Sequence, residues 1–216
     1  MSNILEKHLF AGHLQRMRMG ASQATALDEI SRWIEENTFI GGKPYSYKNH
    51  EYQRRILDST AREVVIRKCS QVGISELAMR KALGMCGMIK DFTVIYTFPT
   101  AGFAANVTKT RINPIINDSP YLREVCSGVD SVEVKQFGNS FLYLKGAAST
   151  NAPISTPADA LFFDEYDFSD PIVLSQYQSR LSHSEYKIKT KLSTPTIPGK
   201  GIDLEFQRSR RYYQFT

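Results

Sequence analysis

The chain has 216 residues, 42% hydrophobic and 23% charged, proportions that suit one folded domain and exclude an extended disordered chain. Its net charge of +5 permits a polyanionic partner without requiring one. No run approaches about 18 apolar residues, and Met1 to Gly20 mixes Glu6, Lys7, His8, Arg16 and Arg18 with its apolar residues, so neither a membrane span nor a signal peptide is expected and the cytoplasm is the expected compartment.

In chain order, residues 24–37 place Leu27, Ile30, Trp33 and Ile34 at helical spacing, and Gly41-Gly42-Lys43-Pro44 closes that region as a loop. The spacing predicts a helical N-terminal segment over 1–44 and one core domain over 45–216. Residues 49–60 read as helical and carry Tyr52 and Gln53, an aromatic able to stack on a base and an amide able to bond its edge, or else a packing Tyr beside a surface Gln. A short apolar run, Val64-Val65-Ile66, then leads through residues 67–75 into a helical pattern with Leu77, Ala78, Ala82, Leu83 and Cys86.

That strand, loop and helix form the context in which a phosphate-binding loop works, because backbone N–H groups and the positive end of the helix dipole converge on one anion. The motif, Arg67-Lys68-Cys69-Ser70-Gln71-Val72-Gly73-Ile74-Ser75, is imperfect against G-x-x-x-x-G-K-[ST]. Gly73 and Ser75 sit in place, Ile74 occupies the lysine position, and Lys68 stands where the first glycine belongs. From the head of the loop the stem of Lys68 can fold back and present its ammonium to the β- and γ-phosphates. Gly73 lets the backbone approach, and Ser75 offers a hydroxyl to magnesium. An ordinary strand-to-helix turn with Ser75 as its cap fits the same residues equally well.

Thr93 to Tyr96 reads as extended and residues 101–112 as helical, with Pro114 stopping or kinking the chain beyond them. Val132-Glu133-Val134 and Ser140 to Leu144 read as paired strands around Gly138-Asn139, and Gly146 to Pro157 as a surface loop. Ala160-Leu161-Phe162-Phe163 has the continuous apolar character of a strand buried on both faces, and it ends in Asp164-Glu165. In a doubly wound sheet ligands lie beyond the carboxyl ends of the strands, so these carboxylates would face the phosphates, Asp164 binding magnesium and Glu165 polarising the attacking water. A solvated acidic turn is the alternative. The last extended run, Tyr186 to Leu192, ends in Ser193-Thr194-Pro195-Thr196, whose hydroxyls could sense the γ-phosphate. Cys69, Cys86 and Cys126 are odd in number and scattered, and the four histidines lack ligand spacing, so neither a disulfide framework nor a zinc site is expected. The alternating elements predict an α/β fold, a mainly parallel sheet sandwiched by helices.

Lys68 to Ser75, Leu161 to Glu165 and Ser193-Thr194-Pro195 together resemble the ATPase domain of phage terminase large subunits, the lambda type in particular, which is similar in carrying its phosphate-binding lysine at the head of the loop. Tyr52-Gln53 looks like that family's adenine-side motif, Tyr96 to Thr100 like its helicase-type segment, and Gly146 to Ser149 like the stretch before the acidic strand. The likeness spans residues 45–213. It implies a RecA-like P-loop fold of the ASCE class, with ATP and Mg2+ as ligands, Glu165 as catalytic glutamate and Ser193-Thr194-Pro195 as the motif coupling hydrolysis to DNA movement. It also matches Arg180 to an arginine that would contact the γ-phosphate, against the equally weighted reading of a solvated helix residue.

The resemblance implies partners too: double-stranded DNA bound without sequence preference, a homo-oligomeric ring on a portal protein, and a small terminase subunit, all in the host cytoplasm. The family continues into a metal-dependent nuclease domain whose acidic cluster has no counterpart here. Asp203 and Glu205 do not form one, so no nuclease activity is expected, and a fragment or an isolated motor domain is. Arg208, Arg210 and Arg211, interleaved with Tyr212 and Tyr213, make the densest basic cluster, either a DNA contact or a solvated tail. A helicase-like translocase and a nucleotide switch without turnover are the rival readings.

Overall fold

The computed structural model describes residues 27–148, 155–210 and 213. Its centre is a six-stranded sheet built from β3 (Glu63–Arg67), β4 (Thr93–Phe98), β5 (Val134–Phe137), β6 (Ser140–Gly146), β7 (Ala160–Asp164) and β8 (Ile188–Ser193), in the spatial order β3-β8-β7-β4-β6-β5. All neighbours run parallel except β5 against β6. A two-residue pair, β1 (Phe39–Ile40) and β2 (Lys43–Pro44), forms a separate small hairpin. Because helices cover both faces of the sheet, β4 and β7 are buried on both sides, which explains the unbroken apolar run of β7.

Alternation along the strands divides two cores. Val94, Tyr96, Phe98, Leu142, Leu144, Ala160, Phe162 and Leu192 face one cluster, together with α1 (Ile30–Asn37) and α3 (Ile74–Met88). Ile95, Leu161 and Phe163 face the other, under Val173, Leu174 and Tyr177 of α7 (Pro171–Gln178). The expected sandwich of helices on both faces is therefore present. Trp33 and Ile30 of α1 lie against Gly84, where a Cβ would come within 2.7 Å of Ile30, so this close approach demands glycine.

Several boundaries differ from those expected. The helix expected over 49–60 is α2, Glu51–Leu57. The helix expected over 101–112 is α4 (Ala101–Val107) followed by a π turn, Thr108–Ile112, and the chain continues helical through α5, Asn113–Asp118. Pro114 does not stop it; it follows directly on the π turn, where the hydrogen-bonding register of the helix already shifts. A short helix α6, Pro120–Val125, comes next. The hairpin strand lies at 134–137 rather than 132–134, because the two-residue Gly138-Asn139 turn pairs Phe137 directly with Ser140. Ser193 closes β8 instead of opening the loop after it. Within the loop expected over 146–157, Gly146 ends β6, Ala147 and Ala148 are described, and Ser149 to Ile154 lie outside the described residues. So do Arg211 and Tyr212 of the basic cluster.

The register levels the carboxyl ends of three adjacent strands. Arg67 is opposite Ser193 and Asp164 opposite Leu192, so the segments that begin at Lys68, Thr194 and Glu165 leave the sheet side by side. Among the described residues no helix is long and apolar enough to cross a membrane.

Candidate nucleotide site

The loop between β3 and α3 begins with the Lys68 N–H donating to the Ser193 carbonyl at 3.0 Å. Gln71 and Gly73 have positive φ, 62° and 73°, the turning pattern of a backbone that cradles an anion ahead of a helix. Glycine is required at 73 twice over, since a Cβ would also stand 2.8 Å from Gln53 Nε2. Cys69, Ser70 and Gln71 are exposed, whereas Ile74 is 3% exposed and packs into the core. The position that holds lysine in the common motif thus points inward here.

The lysine of the loop, Lys68, lies at its other end. Its side chain is only 8% exposed, and Nζ lies 3.0 Å from Glu165 Oε1. Glu165 holds φ 51°, in the left-handed region that non-glycine residues seldom adopt. Asp164, at the end of β7, is buried. Its Oδ1 accepts from Ser75 Oγ at 3.0 Å and from the Glu165 N–H at 3.0 Å, and its Oδ2 accepts from Tyr96 Oη at 2.8 Å. Burial pushes the Asp164 carboxyl above its ordinary value, with the Tyr96 hydrogen bond opposing the shift.

The Ser75 and Asp164 oxygens are both hard donors, and their 3.0 Å separation matches the edge of an octahedron with metal–oxygen distances of about 2.1 Å. This pair therefore fits magnesium. Among the described residues no group of three or more His, Cys, Asp and Glu side chains converges as a metal cluster. Asp203 and Glu205 are instead ion-paired, with Arg67 and Lys191 respectively.

Other expected site residues are placed differently. The Tyr52 hydroxyl donates to the Val72 carbonyl at 2.7 Å. Gln53 is buried, its Nε2 donating to the same carbonyl at 3.2 Å and its Oε1 accepting from Tyr45 Oη. Both residues thus brace the loop, and Gln53 lines an open cavity of about 340 Å3 together with Ile40, Lys43, Tyr45, Ser46 and Gly73. The Arg67 guanidinium lies over Phe206 and 2.5 Å from Asp203, drawn away from the cradle. Arg180 is not brought to the site. Its carbonyl accepts from the Ala158 N–H at the amino end of β7, and five residues of strand, roughly 16 Å, separate that end from Asp164. Arg180 lies in the turn Ser179–Leu181 before β8, at the amino end of the sheet, away from the phosphate loop of the same chain. Ser193 sits beside the loop, while Thr194 and Pro195 lead out of the sheet after it.

The family model described as "Phage terminase large subunit gpA, ATPase domain" matches residues 43–215. The chain belongs to this family of terminase ATPase domains. Two solved structures share the fold. The crystal structure of the HK97 bacteriophage large terminase matches with a TM-score of 0.70 at 13% identity, covering 83% of this chain and 40% of that one. The Thermus phage P74-26 large terminase ATPase domain matches with a TM-score of 0.56 at 19% identity, covering 71% and 66%. The chain thus spans well under half of the HK97 protein. No curated protein sequence matches it.

Tyr96 of this terminase ATPase domain does not stand out in the sequence as a partner of Asp164, because that contact depends on strand order. Tyr96 is fully buried one strand away from Asp164, and only the β7 to β4 pairing brings its hydroxyl to that carboxylate. Tyr96→Phe is expected to cost about 1–3 kcal/mol of stability by leaving a buried carboxylate oxygen without its donor, measured by urea unfolding. An unchanged midpoint would show that Asp164 finds another donor.

Proposed function

We propose that residues 45–216 form an ATP-hydrolysing motor that moves double-stranded DNA into a procapsid, working as a ring of copies on a portal protein together with a small terminase subunit. The observation that carries this reading is the convergence of Lys68, Ser75, Asp164 and Glu165 at the level ends of β3 and β7. A phosphate cradle faced by two carboxylates is the arrangement that phosphoryl transfer to water requires. The triphosphate would take the charge of Lys68 that now pairs with Glu165, leaving that carboxylate free to orient a water in line with the γ-phosphate. Ser75 and Asp164 would hold magnesium, which when bound neutralises charge on the β- and γ-phosphate oxygens. The nucleoside would extend over the braced Val72-Gly73 backbone into the cavity beside Tyr45 and Gln53.

A motor must grip any sequence, so its DNA contacts should go to phosphates. Arg208 and Arg210, just past the last described helix, are exposed basic groups suited to that role. The testing experiment is ATP turnover against duplex DNA at several salt concentrations, with and without portal and small subunit. The expected result is weak, sequence-independent binding that drops steeply with salt, and stimulation of turnover by DNA only in the assembled ring. Tight, salt-insensitive binding to one sequence would instead indicate a site-specific DNA-binding protein. Undetectable turnover even with all partners present would indicate a nucleotide switch.

A further inference from the structure

The segment between Ser193 and α8 (Gly201–Gln207) has little apolar anchorage of its own, with Ile197 52% exposed. Two carboxylates hold it: Asp203, whose Oδ2 accepts from the Gly199 N–H at 2.7 Å, and Asp167, which makes most of the contacts. Asp167 lies two residues past Glu165, in the 3-10 turn Tyr166–Phe168. Its Oδ2 accepts from the Thr196 N–H at 2.9 Å and the Thr196 hydroxyl at 3.0 Å. Its Oδ1 accepts from the Ile202 N–H at 2.6 Å. Its own N–H donates to Ser193 Oγ at 3.3 Å. Gly201 leaves the space this carboxylate occupies, for a Cβ there would meet Asp167 Oδ1 at 2.4 Å, and its φ is +53°.

These contacts close a circuit. Ser193 gives its carbonyl to the Lys68 N–H and its hydroxyl to Asp167, while Lys68 Nζ pairs with Glu165. The Phe168 N–H bonds to the Glu165 carbonyl at 2.9 Å, so Glu165 and the turn bearing Asp167 form one hydrogen-bonded unit. A left-handed residue such as Glu165 keeps its conformation only while its surroundings impose it. Loss of its lysine partner removes one of those constraints.

We propose that Asp167 is the link by which displacement of Glu165 from Lys68 reaches residues 194–200 and helix α8. The proposal rests on the ATP-site reading above. A rotation that carries Glu165 carries the turn, and three hydrogen bonds to an ionised carboxylate, stronger than neutral ones, carry the movement across to Thr196 and Ile202. Asp167 touches no reacting atom and is a positioning residue.

The test is amide hydrogen exchange of the chain with and without magnesium and a slowly hydrolysed ATP analogue, in the wild type, Asp167→Asn and Gly201→Ala. The first variant removes the charge and one acceptor; the second drives a methyl into the same contact while leaving residue 167 intact, so a folding defect peculiar to either variant does not obscure the result. In the wild type the analogue is expected to change exchange at the Thr196 and Ile202 amides by about tenfold. In both variants the analogue should bind within about threefold of wild type while that change disappears, and kcat should fall about tenfold with KM little altered. Retention of the nucleotide-induced change in either variant overturns the link, as does wild-type kcat in both. Failure of the wild type itself to bind the analogue overturns the ATP reading, and the link with it.

Discussion

Lys68→Ala is expected to lower ATP turnover by about three orders of magnitude and to abolish measurable nucleotide affinity. Lys68 is the lysine of the loop, its ammonium is nearly enclosed, and it already contacts the carboxylate assigned to catalysis. Arg67 cannot substitute while its guanidinium is held by Asp203 and Phe206. Moving the lysine to its common place should not rescue the variant. Ile74 lies among Val64, Ile66 and Phe162, so Lys68→Ala with Ile74→Lys would bury an unpaired ammonium at a cost of several kcal/mol. Isothermal titration with ATP and a steady-state turnover assay on both variants provide the check. Wild-type affinity in Lys68→Ala would remove this residue from the phosphate site, and rescue by the double variant would mean that residue 74 can turn outward.

Glu165→Gln is expected to separate binding from chemistry. The amide keeps the shape of the side chain and an oxygen for Lys68, but it orients water poorly, so kcat should fall by about two to three orders of magnitude with nucleotide affinity within about threefold. Asp164→Asn should behave differently. Oδ1 and Oδ2 of Asp164 both accept hydrogen bonds, from Ser75 and Tyr96 respectively, and an amide can accept at only one of its two ends. The expected result is a loss of the magnesium-dependent part of nucleotide binding, read by titrating ATP at several magnesium concentrations. Equal loss of affinity in the two variants would contradict this division of labour, as would unaltered turnover in Glu165→Gln.

Much of the sheet was legible because parallel strands buried on both faces leave a continuous apolar signature, and because β7 stops at two carboxylates. The phosphate loop was legible from a strand, Gly73, Ser75 and a helical pattern in sequence. Features that depend on neighbours far along the chain were not. Gln53 looks like a free amide until Tyr45 and Val72 occupy it. Asp167 reads as one more acidic residue after Asp164-Glu165 until β8, lying beside β7, brings the chain after Ser193 onto it. The place of Arg180 was not legible for the complementary reason, since a helix spacing says nothing about the end of the sheet at which the chain re-enters it. The π turn at Thr108–Ile112 has no sequence signature, and it moved the expected effect of Pro114 from an ending to a continuation.

The strand that carries the phosphate loop pairs with a strand far along the chain. Among the described residues β3 stands at the edge of the sheet and its one strand neighbour is β8, with Glu63 opposite Lys189 and Arg67 opposite Ser193. That pairing closes a loop over most of the domain, and the entropy of such closure must be met before the contacts it brings can form. A nascent chain that has not yet emerged past β8 has no partner for β3 and no carbonyl for the Lys68 N–H. A nucleotide site built on Lys68 is therefore expected to need β8 as well as the loop, so that ligand binding would report on the sheet as a whole.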